Sequence, residues 1–193
     1  MSRGLGDVYK RQGLDHVITE RIDPEVMLPA PGQGALAVEV RAIHDGIFGD
    51  ARLDPDSPEG RLRAGLAGLD DLHTHAAVTA ERALLLRLEA GCAAPIGAVA
   101  RVEGGTDENG ASSPRIVMDA MVAALDGSRI LRRTSSVQLD ALPQDVAADP
   151  EQAAEWLEDT LMMAAGALGV HMAEAFIDEG ADLLPGTVRG TGA

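Results

Sequence analysis

The sequence predicts an α+β domain in which a three-stranded antiparallel sheet is covered by helices on one face. Three observations carry this. Segments of β-type composition run over 96–102, 116–125 and 129–137. Asp126-Gly127 between the last two favours a hairpin, because glycine takes positive φ without steric cost. Helix-period apolar patterns flank these strands, over 76–90 before them and from Pro150 after them, and helices segregated around a run of strands pack on one face of the sheet.

The elements follow in order. Residues 1–12, MSRGLGDVYKRQ, hold the chain's only lysine, Lys10, and only tyrosine, Tyr9, and read as a non-native leader. Residues 13–41 comprise a polar stretch, an extended linker and a short strand. Pro29 and Pro31 remove backbone donors and forbid a helix, and Gly32-Gln33-Gly34 reads as a hinge rather than a phosphate loop, since no GK[ST] follows. ALAVEV, 35–40, has the composition of a buried strand. The chain supplies no evident partner for it, so it is expected to return into an upstream α/β domain largely absent here.

Residues 42–75 hold loop chemistry, HDGIFGDARLDPDSPEG, then a linker helix over 61–69. The domain proper is expected at 76–185. Its first helix sets Val78, Leu84, Leu85 and Leu88 on one side and Glu81, Arg82 and Glu89 on another, with Gly91 as its stop signal. After GGTDENGASSP between the first two strands and the Asp126-Gly127 turn, Pro150 opens a helix with Trp156, Leu157 and Leu161 at helical spacing, and a second helix runs from Val170 to a stop at Gly180. Residues 186–193 read as a disordered tail.

Composition excludes several functions. A formal net charge of -15 with aromatic residues at 2% offers neither the cation cluster that phosphates need nor stacking platforms for bases, so no nucleic-acid partner is expected. The continuous apolar runs fall far short of the roughly 20 residues that cross a bilayer, so no membrane span is expected. A single cysteine makes no internal disulfide and nothing in the opening residues marks secretion, so a reducing cytoplasm is the expected location. His73 and His75 have no third ligand at metal spacing and read as solvent-facing, so no metal site is expected.

Cys92 is the residue with chemistry to offer. A lone cysteine is ordinarily a small buried hydrophobe. Here Gly91 removes bulk before it, and Pro95 and Gly97 shape the chain after it, a setting that suits attachment of a large group. A helix C-terminus disfavours the thiolate, which Arg82 and Arg87 partly offset. Glu81, Arg82, Arg87 and Glu89 otherwise read as intrahelical ion pairs.

The stretch VTAERALLLRLEAGCAAPIGAVA, 78–100, resembles the cofactor-attachment segment of hydroxymethylbilane synthases (porphobilinogen deaminases), and LPAPGQGALAVEVR, 28–41, resembles that family's hinge and returning strand. LDGSRILR, 125–132, and LGVHMAEAFIDEGADLL, 168–184, are similar to its last sheet and terminal helix. The resemblance covers 13–184. It implies a transferase that joins four porphobilinogen molecules head to tail with loss of ammonia, then hydrolyses the product to hydroxymethylbilane, in porphyrin and heme biosynthesis. The growing chain would hang on a dipyrromethane cofactor bonded as a thioether to Cys92. Thiolates attack electrophilic methylene carbons readily, and a thioether survives the final hydrolysis.

The family's catalytic aspartate and most of its substrate-binding arginines match nothing here, so the chain reads as a truncated C-terminal fragment with no catalytic residue of its own, inactive alone, from a parent that is monomeric at full length. Arg11, in the leader, is assigned no role. Stretches 44–57 and 150–166 read as insertions. The competing reading is a non-catalytic α+β interaction module with a buried structural cysteine; a thiol redox sensor ranks behind both, since no resolving cysteine exists.

Overall fold

The computed structural model describes residues 12–24, 26–40, 56–89, 94–105 and 113–180. Its regular elements are a 3-10 turn at Asp15–Val17, helices α1 (Pro58–Ala67), α2 (Leu72–Arg87) and α3 (Pro150–Gly180), and strands β1 (Ile96–Glu103), β2 (Arg115–Ala123) and β3 (Ile130–Gln138). The chain divides by packing into two units. One joins the described residues up to Ala35 with those from His73 onward; the other is formed from Leu36–Leu72.

In the smaller unit, α1 begins three residues before the expected 61. Ser57 accepts the Gly60 N–H at 2.9 Å and Pro58 occupies the first helical position. Ser-Pro-Glu is therefore a helix start that the surrounding Gly, Asp and Pro obscured. Residues 35–40 form no ladder among the described residues, and Leu36 and Val38 are 77% and 65% exposed. Strand composition becomes a strand only where another strand takes its backbone groups.

The larger unit is built on the sheet, ordered β1-β2-β3 and antiparallel throughout. The expected α+β architecture is present, with strand ends within two residues of the sequence reading. The β2–β3 turn has Gly127 at φ 72, and the Asp126 carboxylate accepts the Ser128 N–H at 2.9 Å; the Ser128 hydroxyl first, and then its N–H, hold Asp126 below the usual carboxylate range.

Side-chain alternation gives the sheet two unlike faces. Ile116, Met118, Ala120 and Val122 of β2 are buried, with Ala98 and Ala100 of β1 in register beside Ala120 and Met118. On the opposite face Asp119 stands between Val117 and Met121 of β2, and β1 sets Arg101 and Glu103 there. Arg101 pairs with Glu103 at 2.7 Å and Asp119 at 2.9 Å, Arg115 with Glu103 at 2.7 Å, and Thr134 donates to Asp119. Burial pushes Asp119 up, but the Thr134 hydroxyl and the Arg101 guanidinium outweigh it and hold the carboxyl low. These pairs are part-exposed, so solvent screens them and each contributes little to stability.

α3 covers β2 and β3. It is one continuous helix of 31 residues where the sequence suggested two, and its first half, which read as an insertion, runs straight into the second. Asp149 caps it, accepting from the N–H groups of Glu151 at 3.0 Å and Gln152 at 3.4 Å. Leu161, Ala165, Leu168, Met172 and Phe176 are buried at three- and four-residue spacing, the stripe a sheet-covering helix needs. By length and composition alone α3 is apolar enough to cross a membrane, with a mean hydropathy of 1.4 over its most apolar stretch. Of that stretch 39% is buried inside the structure. At its C-terminal end Arg129 donates to the Glu179 carbonyl at 3.0 Å and Arg133 pairs with the Glu179 carboxylate, cations placed where the helix dipole is negative.

Gly169 is where α3 meets α2. A Cβ there would lie 2.2 Å from the Ala80 carbonyl oxygen and 2.9 Å from the Leu84 nitrogen, backbone atoms that do not yield. Glycine thus brings the helices together at the cost of some helix propensity. Gly169→Ala is expected to destabilise the chain by about 1–3 kcal/mol, the range for overpacking, despite alanine's better propensity. Denaturant unfolding tests this; an unchanged or raised midpoint would refute the close crossing.

Candidate functional site: the frame around the cysteine segment

Cys92 lies outside the described residues, between Glu89 and Ala94, the last and first described positions on either side. What the structure gives is the frame that presents this segment.

On the N-terminal side α2 buries Ala76, Ala80, Leu84 and Leu88, a four-residue repeat that forms one narrow stripe. Val78 and Leu85, expected on that side, are only half-buried, and Leu86 is 81% exposed. The helix starts at Leu72 and ends at Arg87, earlier than the expected 76–90 at both ends. The stop is not Gly91. Glu89 takes the left-handed conformation at φ 50, its N–H donating to the Leu86 carbonyl at 3.1 Å, while buried Leu88 pins the last turn. An L-residue there is strained, and only the backbone shows it.

On the C-terminal side Ile96 donates to the Ala94 carbonyl at 2.8 Å and Ala123 to the Pro95 carbonyl at 3.0 Å, so the β1–β2 ladder is carried one residue past the strand. Gly97 follows under Leu28. A Cβ on Gly97 would lie 2.8 Å from the Leu28 Cβ and 3.1 Å from the Met121 Cγ. Leu28 is itself 6% exposed, so the linker is packed onto the sheet rather than crossing open solvent.

The linker next reaches the outer edge of β1. Ala98 donates its N–H to the Pro29 carbonyl at 2.9 Å. Two residues on, Ala100 donates to Glu81 Oε1 at 2.8 Å, and the other oxygen of that carboxylate accepts the Gly32 N–H at 2.6 Å. Gly32 has φ 74 in the turn 31–34, a conformation glycine takes freely. One carboxylate from α2 therefore joins the turn, the helix and the strand edge. Burial pushes the Glu81 pKa up, and the two backbone N–H groups pull it only part of the way back.

These contacts correct the sequence reading of the charged residues on α2. Glu81 makes no intrahelical pair; it is 6% exposed and bonded to backbone on two other segments. Arg87 pairs across to Glu174 of α3 at 2.6 Å rather than along its own helix. The signal for Glu81 was present: it follows Ala77 by four residues and precedes Leu84 and Leu88 by three and seven, a charge set among apolar neighbours. His73 and His75 are exposed as expected, and among the described residues no His, Cys, Asp or Glu group is arranged for a metal.

Gly97→Ala is expected to lower stability by about 1–3 kcal/mol through the clash with Leu28, with a wild-type midpoint in unfolding titrations counting against it. Glu89→Gly should relieve the left-handed strain and raise stability by up to about 1 kcal/mol in the same titration. Because Glu81 titrates higher in the folded chain than in the unfolded one, its contribution is fully present below its unfolded value and is lost as pH rises through the folded value. The stability difference between wild type and Glu81→Gln should therefore shift toward the variant as pH rises above the usual carboxylate range; a pH-independent difference would contradict the assigned direction.

Comparison with known proteins agrees with this frame in two places. The family model for the porphobilinogen deaminase C-terminal domain matches residues 75–159, which take in α2 from its fourth residue on, the cysteine segment and the whole sheet, and the model for the porphobilinogen deaminase dipyromethane cofactor binding domain matches residues 8–48. The second match begins inside the stretch 1–12 that stands apart in composition. The chain is 72% identical over 180 residues to the porphobilinogen deaminase of Micrococcus luteus, which covers 93% of this chain and 47% of that protein. It is 43% identical over 171 residues to the enzyme of Cutibacterium acnes, covering 89% and 42%, and 42% identical over 191 residues to that of Nocardia farcinica, covering 95% and 44%. It spans a little under half the length of these relatives. With two models of one family matched in order and such identity along nearly its full length, the chain belongs to the porphobilinogen deaminase (hydroxymethylbilane synthase) family.

Proposed function

We propose that this chain carries the cofactor anchor of a hydroxymethylbilane synthase, with Cys92 as the point of covalent attachment. The observation that carries the reading is the match of residues 75–159 to the family's C-terminal domain, a stretch that contains the only thiol in the sequence. The flanking residues fit a bulky tethered group. On the helix that leads to this segment Leu86 is 81% exposed, and Arg82 and Glu89 are exposed.

The reaction of the full-length parent is then the condensation of four porphobilinogen molecules with loss of ammonia, followed by hydrolysis to hydroxymethylbilane; the chain alone carries the anchor and not the catalytic residues. A bound dipyrromethane supplies the terminal pyrrole carbon to which each unit is added. Cys92 would hold that group: its thiolate would add to the methylene carbon left electrophilic when the aminomethyl carbon–nitrogen bond breaks and ammonia leaves, and the resulting carbon–sulfur bond would not turn over. No described residue is assigned a catalytic role, and no metal is required. The reading carries with it a cytoplasmic location and, for the full-length form, a monomer whose partner is its small-molecule substrate.

Mass spectrometry of the Cys92 peptide from the natively purified, active full-length parent tests the reading. The expected result is an adduct of two pyrrole units, stable to base as a thioether is. Cys92→Ser should abolish the adduct and tetrapyrrole synthesis while changing stability by less than about 1 kcal/mol. A free, alkylatable thiol in active protein would sink the proposal and favour the interaction-module reading.

A further inference from the structure

Among the described residues, Glu81 is a buried carboxylate to which the proposed reaction gives no role. It is 6% exposed, no cation among the described residues pairs with it, and both of its oxygens accept from backbone N–H groups, of Gly32 at 2.6 Å and Ala100 at 2.8 Å.

The reason lies in the edge of β1. Ala98 and Ala100 turn their N–H groups away from β2, and a neighbouring strand would supply a carbonyl to each. The linker supplies the first, from Pro29. It then turns through 31–34 with Gly32 at φ 74 and leaves the edge, so no second carbonyl follows. Glu81 reaches across from α2 and takes that place with one oxygen, while the other accepts the Gly32 N–H that the turn presents.

We propose that Glu81 is a positioning residue that latches the 31–34 turn to the edge of β1, so that turn, helix and strand open together rather than one by one. The turn then belongs mechanically to the sheet, and any rearrangement of the chain there must break two charge-assisted hydrogen bonds. Burial raises the carboxyl's pKa, so ionisation is costly here; such a group is retained for the connection it makes rather than for net stability. The inference does not rest on the cofactor reading and survives its failure.

Native-state hydrogen exchange on the whole chain, followed amide by amide by NMR, tests it. Gly32 should exchange on the order of 10- to 100-fold more slowly than Gly34 in the same turn, as a hydrogen bond to a charged group implies, and should share its opening with Ala100. Glu81→Ala should bring both amides to the Gly34 rate while Met118 in β2 stays protected. Glu81→Gln keeps one acceptor oxygen and should preserve protection at only one of the two, a split that a purely space-filling role would not produce. Gly32 exchanging as fast as Gly34 in the unaltered chain overturns the proposal whether or not the variants fold, as does undiminished protection in Glu81→Ala.

Discussion

An edge strand whose outward N–H groups need acceptors organises this domain. β1 has β2 on one side only, and the cost of leaving buried amides unpaired is large compared with the net worth of any single bond in the sheet. The acceptors come from two chemically different sources, a proline carbonyl and a glutamate carboxylate, drawn from segments nearly seventy and nineteen residues away in sequence. Satisfying those donors fixes the linker against the sheet, seats Leu28 over Gly97, and gives α2 an attachment to β1 besides its apolar stripe.

The second constraint is thickness. A sheet with one apolar face needs a cover, and α3 supplies it with a stripe from Leu161 to Phe176. Because α2 must also approach, the two helices cross where Gly169 leaves only backbone in the way. The opposite sheet face is covered by Leu28 over Gly97 and Met121 at one end, and its charges answer one another through Arg101, Glu103, Arg115 and Asp119. The chain leaves α2 at a turn pinned by Leu88 and enters β1 at Pro95 and Gly97, which fixes the described residues on either side of the segment that holds Cys92.

Much of this was legible in advance. Strand positions followed from β-branched and apolar runs bounded by turn residues, and the hairpin from Asp126-Gly127, because such signals act over two to four residues and need no partner. Cys92 stood out because it is the only thiol and lies in a motif shared with a known family. The helix ends were read less well: Ser57 and Pro58 were hidden in a loop-like stretch, and the stop at Glu89 rests on a backbone conformation that its side chain does not advertise.

The sequence by itself determined the α+β class, the order of its elements and the family, since periodicity, turn chemistry and motif are properties of neighbouring residues. Only the tertiary structure decided what Glu81 does, why Gly97 and Gly169 carry no side chain, and that residues 150–180 form one helix. Each of those depends on which distant backbone comes within a few ångströms, and no pattern along the chain encodes that distance.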